Sequence, residues 1–130
     1  MKKYYSRHNK FGNTKQECSL GHSHASKLES AVCGIISLRQ KAGELELLQS
    51  QDHVYLTKAR ILYIPDFKCL DKVTGETFYI ESKGYEDQKW PIKKRLWKHY
   101  GPGRLEIWTG NYRNPKLDEI IVPTGAQEEV

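Results

Sequence analysis

The chain is short of the features that mark several large protein classes. No apolar stretch approaches the roughly 20 residues that a membrane-spanning helix requires, and the longest run, residues 31–36, has a glycine inside it. Cysteine is scarce: Cys18, Cys33 and Cys69 are odd in number, widely spaced and without a Cys-x-x-Cys pair, which excludes a disulfide framework or a zinc ribbon and makes reduced thiols the expectation. Cys18, His22, His24 and Cys33 could be strung together as metal ligands, but their spacing fits no standard zinc pattern. Internal repeats, low-complexity tracts, a Rossmann fingerprint, a Gly-x-x-x-x-Gly-Lys phosphate loop, a zinc finger and an RNP motif are all missing. The basic start, Met1 to Arg7, continues into His8-Asn9-Lys10 rather than an apolar run, so it does not read as a secretory signal. The expectation is a cytoplasmic protein with no membrane partner and no small-molecule organic cofactor.

What is present fits one folded unit. The 130 residues suffice for a single domain and core. Lys and Arg exceed Asp and Glu, for a net charge of +5. Residues 1–20 are polar and basic, with tyrosines among the cations and no period, and read as a flexible arm; residues 21–123 form the domain and 124–130 a polar tail. Ser26-Lys27-Leu28-Glu29 has the form of a capping box, and Leu28, Val32, Ile35, Ile36 and Leu38 continue at near-helical spacing, which predicts a first helix over 27–42. From Glu44 to Lys83 the period becomes two, predicting strands at 45–48, 53–57, 60–70 and 76–83. The turn signal at 71–76 makes the last two an antiparallel hairpin. Residues 90–100 read as a second helix, with Pro91 in its first turn, an Ile92-Leu96-Tyr100 stripe for packing, and Gly101-Pro102-Gly103 as its stop. A strand at 104–108, a loop at 111–116 and a short strand at 120–122 complete an α/β order.

The hairpin carries the chemistry. Closing Asp71 against Glu76 fixes a register that sets Asp66 opposite Glu81, and the two-residue period puts Lys83 on the same face as Glu81. The opposite face then holds Phe67, Cys69, Phe78 and Ile80, a sensible core. Two carboxylates facing one another repel, and a divalent cation resolves that conflict, because Mg2+ accepts one or two carboxylates together with waters and phosphate oxygens. Lys83 would face the reacting phosphate and stabilise charge developing there. The plainer reading is a solvated strand face on which Lys83 screens the acids.

The string Ile64-Pro65-Asp66-Phe67, followed by Tyr79-Ile80-Glu81-Ser82-Lys83-Gly84, closely resembles the defining motif of the PD-(D/E)xK nuclease superfamily. The resemblance spans about residues 20–110. It implies a restriction-endonuclease-like αβββαβ core, a central mixed sheet flanked by helices. More narrowly, Ser26 to Glu29, Tyr63 to Phe67 and Glu81 to Gly84 look similar to phage endonuclease I type Holliday-junction resolvases and related small phage nucleases. By that resemblance Asp66, Glu81 and the backbone carbonyl of Ser82 would be ligands of Mg2+ or Mn2+, Lys83 the catalytic lysine, and Glu29 a further catalytic and metal-binding acid. Glu29 also stands where a capping-box glutamate belongs, and the two roles compete for one side chain.

The excess positive charge is concentrated between Lys83 and Arg104. Lys89, Lys93, Lys94 and Lys98 there, with Lys2, Lys3 and Arg7 in the arm, are the candidate DNA contacts, since basic side chains bind phosphates without reading sequence. The expected protein is a Mg2+-dependent phosphodiester hydrolase acting on DNA, a phage protein working in the host cell. As a junction resolvase it would be a homodimer, because symmetric cutting of two strands needs two sites about a two-fold axis. A less selective endonuclease or nickase and a non-catalytic DNA-binding module are the alternatives.

Overall fold

A computed structural model of the chain describes residues 16–17, 23–24, 26–84 and 88–125. The cations Lys2, Lys3 and Arg7, together with Cys18 and His22, lie outside the described residues. The order of elements is β1 (Gln16–Glu17), β2 (Ser23–His24), α1 (Lys27–Lys41), β3 (Leu45–Ser50), β4 (Val54–Tyr55), β5 (Leu62–Tyr63), β6 (Phe67–Asp71), β7 (Thr77–Ser82), α2 (Trp90–Tyr100), β8 (Leu105–Asn111) and β9 (Asn114–Ile121). Five strands form a mixed sheet in the order β3-β6-β7-β8-β9, and β1-β2 and β4-β5 are separate two-stranded ladders. The segment read as an unstructured arm thus contributes Gln16–Glu17 to a short ladder with Ser23–His24.

Helix α1 starts where the capping signal puts it. Ser26 is extended and its hydroxyl accepts the Glu29 N–H at 3.1 Å, satisfying one of the donors that a helix start leaves open. Leu28, Val32 and Ile36, spaced four apart, are buried together with Cys33 against Leu45, Phe67, Cys69, Phe78 and Ile80. Leu38, expected on that face, points to solvent.

The β6–β7 hairpin has the expected register. Phe67 pairs with Ile80, Lys68 with Tyr79, Cys69 with Phe78 and Leu70 with Thr77. Its turn is closed by the Asp71 N–H to Glu76 O at 2.8 Å, while the Asp71 carboxylate accepts from the Val73 and Thr74 amides. The following crossover through α2 lays β8 parallel to β7, with Glu81 beside Ile107 and Ser82 beside Trp108. A helix between parallel neighbours is the usual way to make that connection.

Three expectations are corrected. The strand read over 60–70 is two strands in different sheets, divided at 64–66, where Pro65 supplies no N–H to a ladder. The segment 111–116 is not a loop: Asn111 and Asn114 pair across a two-residue turn, and the Asn111 carbonyl oxygen of the side chain accepts the amides of Arg113 and Asn114. Pro115 then stands in β9, an edge strand, where a missing donor is tolerated. Of the Ile92-Leu96-Tyr100 stripe, Leu96 packs partly buried on the core, whereas Ile92 is 58% and Tyr100 47% exposed. The buried residues are Trp90 and Trp97, two turns apart on one face. They pack with Val54, Leu56, Tyr63, Tyr79, Leu105, Ile107 and Ile121 into a second core. Their larger apolar area decides which face turns inward.

The helices therefore cover opposite faces of the sheet, and the hairpin face carrying Tyr79 and Glu81 is enclosed rather than solvated. Thr124 ties the end of the described chain to α2 through the Lys98 carbonyl.

Candidate active site

The site forms at the end of the sheet where β7 stops and β6 begins. Asp66 stands one residue before β6 and Glu81 one before the last residue of β7, and they are 8% and 6% exposed. The hairpin ladder ends at the pair of Phe67 and Ile80, so Asp66 and Glu81 lie just beyond its last paired residues. Asp66 is fixed by donors on both oxygens: Gln51 Nε2 reaches Oδ1 at 3.2 Å, and the Ser82 N–H and hydroxyl reach Oδ2 at 2.9 and 2.8 Å. Gln51 is placed by its own N–H to the Asp66 carbonyl at 2.9 Å, in a left-handed backbone conformation at φ 55°.

Glu81 has a different environment. Tyr63 donates its hydroxyl to Oε1 at 3.0 Å, and the Lys83 ammonium stands 3.8 Å from Oε2. Burial pushes the Glu81 carboxyl well above the ordinary glutamate range, and the charge of Asp66 adds to the effect. Lys83 and the Tyr63 hydroxyl act in the opposite sense, and Glu29 raises the pKa further. Glu29 is itself buried, in the first turn of α1. The structure therefore brings Glu29, Asp66, Glu81 and Lys83 into one electrostatic neighbourhood. Among the described residues, no three Asp, Glu, His or Cys side chains converge closely enough to form a metal cage by themselves.

The donor set fits a hard divalent cation. Two buried carboxyl groups at one end of the hairpin, Asp66 held by hydrogen bonds and Glu81 with its pKa raised by burial and by the charge of Asp66, are oxygen ligands whose mutual repulsion Mg2+ or Mn2+ would relieve. Such ions complete their shell with water and phosphate oxygens, so a pair of protein carboxylates suffices.

Aromatic rings organise the cations around this centre. The Lys83 ammonium lies 4.6 Å from the centroid of Trp90, and that of Lys93 lies 5.6 Å from Tyr63. Lys93 and Lys94 fall between Trp90 and Trp97 on the helix, flanking its inward stripe, instead of occupying an outer face as the sequence reading had it. Lys94 is also spent on an ion pair with Glu119 at 2.6 Å. Lys89, at the start of α2, and Lys98, in its last turn, are exposed.

Sequence reasoning missed Tyr63 and Gln51. Tyr63 was legible as the aromatic three positions before Asp66, but its partner could not be read, because β4 and β5 fold as a separate hairpin that delivers the hydroxyl from outside the main sheet. Gln51, between two of the expected strands, gave no signal. Cys33 and Cys69 are buried in the core, as expected of free thiols, and burial pushes the Cys69 thiol up to about 12. No helix among the described residues is long and apolar enough to cross a membrane. Comparison of the chain with protein-family models, with curated proteins and with solved structures gives no match.

Proposed function

We propose that this protein is a metal-dependent DNA endonuclease of the PD-(D/E)xK type, with a restriction-endonuclease-like core, and that it acts as a structure-selective resolvase of branched DNA in the manner of phage endonuclease I type enzymes. The observation that carries the reading is the pair of buried acids Asp66 and Glu81, with Lys83 3.8 Å from Glu81 and the buried Glu29 raising the Glu81 pKa further. A binding module has no use for two enclosed carboxylates that repel each other.

In this proposal Asp66, Glu81 and the backbone carbonyl of Ser82 would hold Mg2+ or Mn2+, with Glu29 as a further catalytic and metal-binding acid. The ion supplies Lewis-acid neutralisation of charge on a phosphoryl oxygen. Lys83 contributes a positive charge next to the reacting phosphorus and orients the attacking water. The tilt of its ammonium toward Glu81 and over Trp90 fixes where that charge stands. Tyr63, with its ring against Trp90 and Trp97, keeps Glu81 directed at the site. Lys93 binds substrate phosphate beside it. A homodimer presents two such sites to the two strands of a junction.

The test is cleavage of a labelled four-way junction beside linear duplex and single-stranded DNA of matched sequence, with Mg2+, Mn2+ or EDTA, for wild type and Glu81→Ala. Paired symmetric nicks on the junction alone, absent in EDTA and in the variant, are expected. Equal cutting of all three substrates replaces the resolvase with a general nuclease, and tight binding with no cutting leaves a non-catalytic DNA-binding module.

A further inference from the structure

The geometry points to a second phosphate-binding surface, formed by Lys27, Tyr112 and Arg113, that holds the DNA backbone on the far side of the candidate active site from α2. It rests on the nuclease reading above and extends it with a substrate contact that no motif marks.

The surface is assembled by two elements that are distant in sequence. Because β7 and β8 run parallel with Ser82 level with Trp108, β8 continues past the end of β7 to Asn111, about 10 Å further at the usual rise per strand residue. Its turn with β9 thus projects beyond the point where Glu81 and Lys83 leave the sheet. Gly110, at φ 91°, lets the tip close, since a Cβ there would meet the Asn114 carbonyl oxygen at 2.6 Å. The start of α1 comes to the same place. Lys27 precedes Glu29 by two residues, and its ammonium lies 4.9 Å from the centroid of the Tyr112 ring. The Arg113 guanidinium is 5.4 Å from that centroid and donates from Nε to the Tyr112 hydroxyl at 3.0 Å.

The charge of this pair is not cancelled by a carboxylate, as that of several other cations is. Lys94 is paired with Glu119, Arg39 with Glu106, and Arg104 with Asp71. Among the described residues no carboxylate pairs with Lys27 or Arg113. Both are exposed, and a ring holds them instead, which gathers two positive charges without cancelling either. Placing a lysine at a helix start, where the backbone already carries partial positive charge, adds to that field and disfavours the helix, which a polyanion offsets. At about 3.4 Å per nucleotide along a duplex strand, a backbone lying over Glu81 and Lys83 reaches this tip within about three nucleotides.

The experiment measures the affinity of the full chain for a fluorescent four-way junction by anisotropy in EDTA, from about 50 to 200 mM salt. Wild type, the double variant Lys27→Ala/Arg113→Ala and the edge-strand control Lys116→Ala are compared. Each phosphate contact contributes about 0.9 to the slope of log affinity against log salt, so the double variant is expected to lose between about 1 and 2 from that slope, with Lys116→Ala unchanged. Wild-type melting behaviour is expected throughout, since the replaced groups are exposed. A wild type that binds and cuts DNA, with a double variant of the same slope, overturns this surface alone. A wild type that neither binds nor cuts overturns the nuclease reading and this surface with it.

Discussion

The Tyr63 hydroxyl donates to Glu81 Oε1 across 3.0 Å, joining a two-strand hairpin outside the main sheet to the most deeply enclosed acid of the candidate site. Tyr63 is itself buried, its ring tilted against those of Trp97 and Trp90. The second core and the site chemistry therefore share one side chain. Burial first, and then the charge of Glu81, raises the Tyr63 hydroxyl far above its ordinary range, so it keeps the proton it donates to Glu81.

Tyr63→Phe keeps the ring packing and removes this donor. Leaving a buried acceptor without its partner costs about 1–3 kcal/mol. The expected loss in urea-induced unfolding free energy is in that range, and a double-mutant cycle with Glu81→Gln should show the two effects to be coupled. Additive effects would mean that the hydrogen bond contributes nothing.

Stability should fall as the pH rises. The Glu81 carboxyl binds its proton more tightly in the folded protein than in the unfolded chain, so its contribution is fully present below the ordinary value of 4.5 and is lost as pH climbs through the raised folded value. Thermal melts of metal-free protein between the mildly acidic and neutral range should show a decline that Glu81→Gln flattens. Added Mg2+ is expected to restore stability to wild type at neutral pH and to do less for the variant.

Replacing the two acids has opposite consequences for stability. Glu81→Gln removes a repulsion and is expected to be neutral or stabilising at neutral pH. Asp66→Ala strips the acceptor from the Ser82 amide and hydroxyl and from Gln51, and is expected to cost about 1–3 kcal/mol. Cleavage should be lost in both and DNA affinity largely kept, as a nicking assay and an anisotropy titration would show.

Lys93 and Lys94 should differ although they are adjacent. Lys93 stands over Tyr63 beside the site, whereas Lys94 is paired with Glu119. Lys93→Ala is expected to weaken DNA binding and reduce its salt slope by about one contact's worth, and Lys94→Ala to do markedly less. Equal losses would show that the Glu119 pair opens on binding.

On the other face of the sheet, Glu106 accepts two hydrogen bonds from Arg39, at 2.8 and 3.3 Å, and one from the Trp108 indole. Glu106→Ala leaves the Arg39 guanidinium half-enclosed and unpaired, and is expected to cost about 3 kcal/mol in a denaturant titration. Glu106→Gln, which keeps the acceptor for Trp108, should cost less.

Much of the local structure was legible in the chain. Ser26 and Glu29 mark the start of α1, the Asp71 to Glu76 turn fixes the β6–β7 register, and that register brings Asp66 and Glu81 to the same end of the hairpin, because each rests on contacts between residues close in sequence. The pattern failed where competing apolar groups had to be ranked. On α2 the spacing favoured Ile92, Leu96 and Tyr100, yet Trp90 and Trp97 turned inward because the cavity between β7, β8 and the β4–β5 hairpin accommodates large rings. It failed again at 111–116, where Asn and Pro resembled a loop but close a hairpin at the sheet edge.

Local signals in the chain were enough for the α/β order, the β6–β7 hairpin and the strand face that bears Glu81. Only the tertiary structure decided that this face is enclosed, that Tyr63 and Gln51 hold the acids, that Lys94 is paired, and that Lys27 meets Tyr112. The physical reason is range: capping, turn and strand periodicity act over a few residues, whereas burial, ion pairing and the field at Glu81 depend on which distant segments the sheet and its crossover bring together.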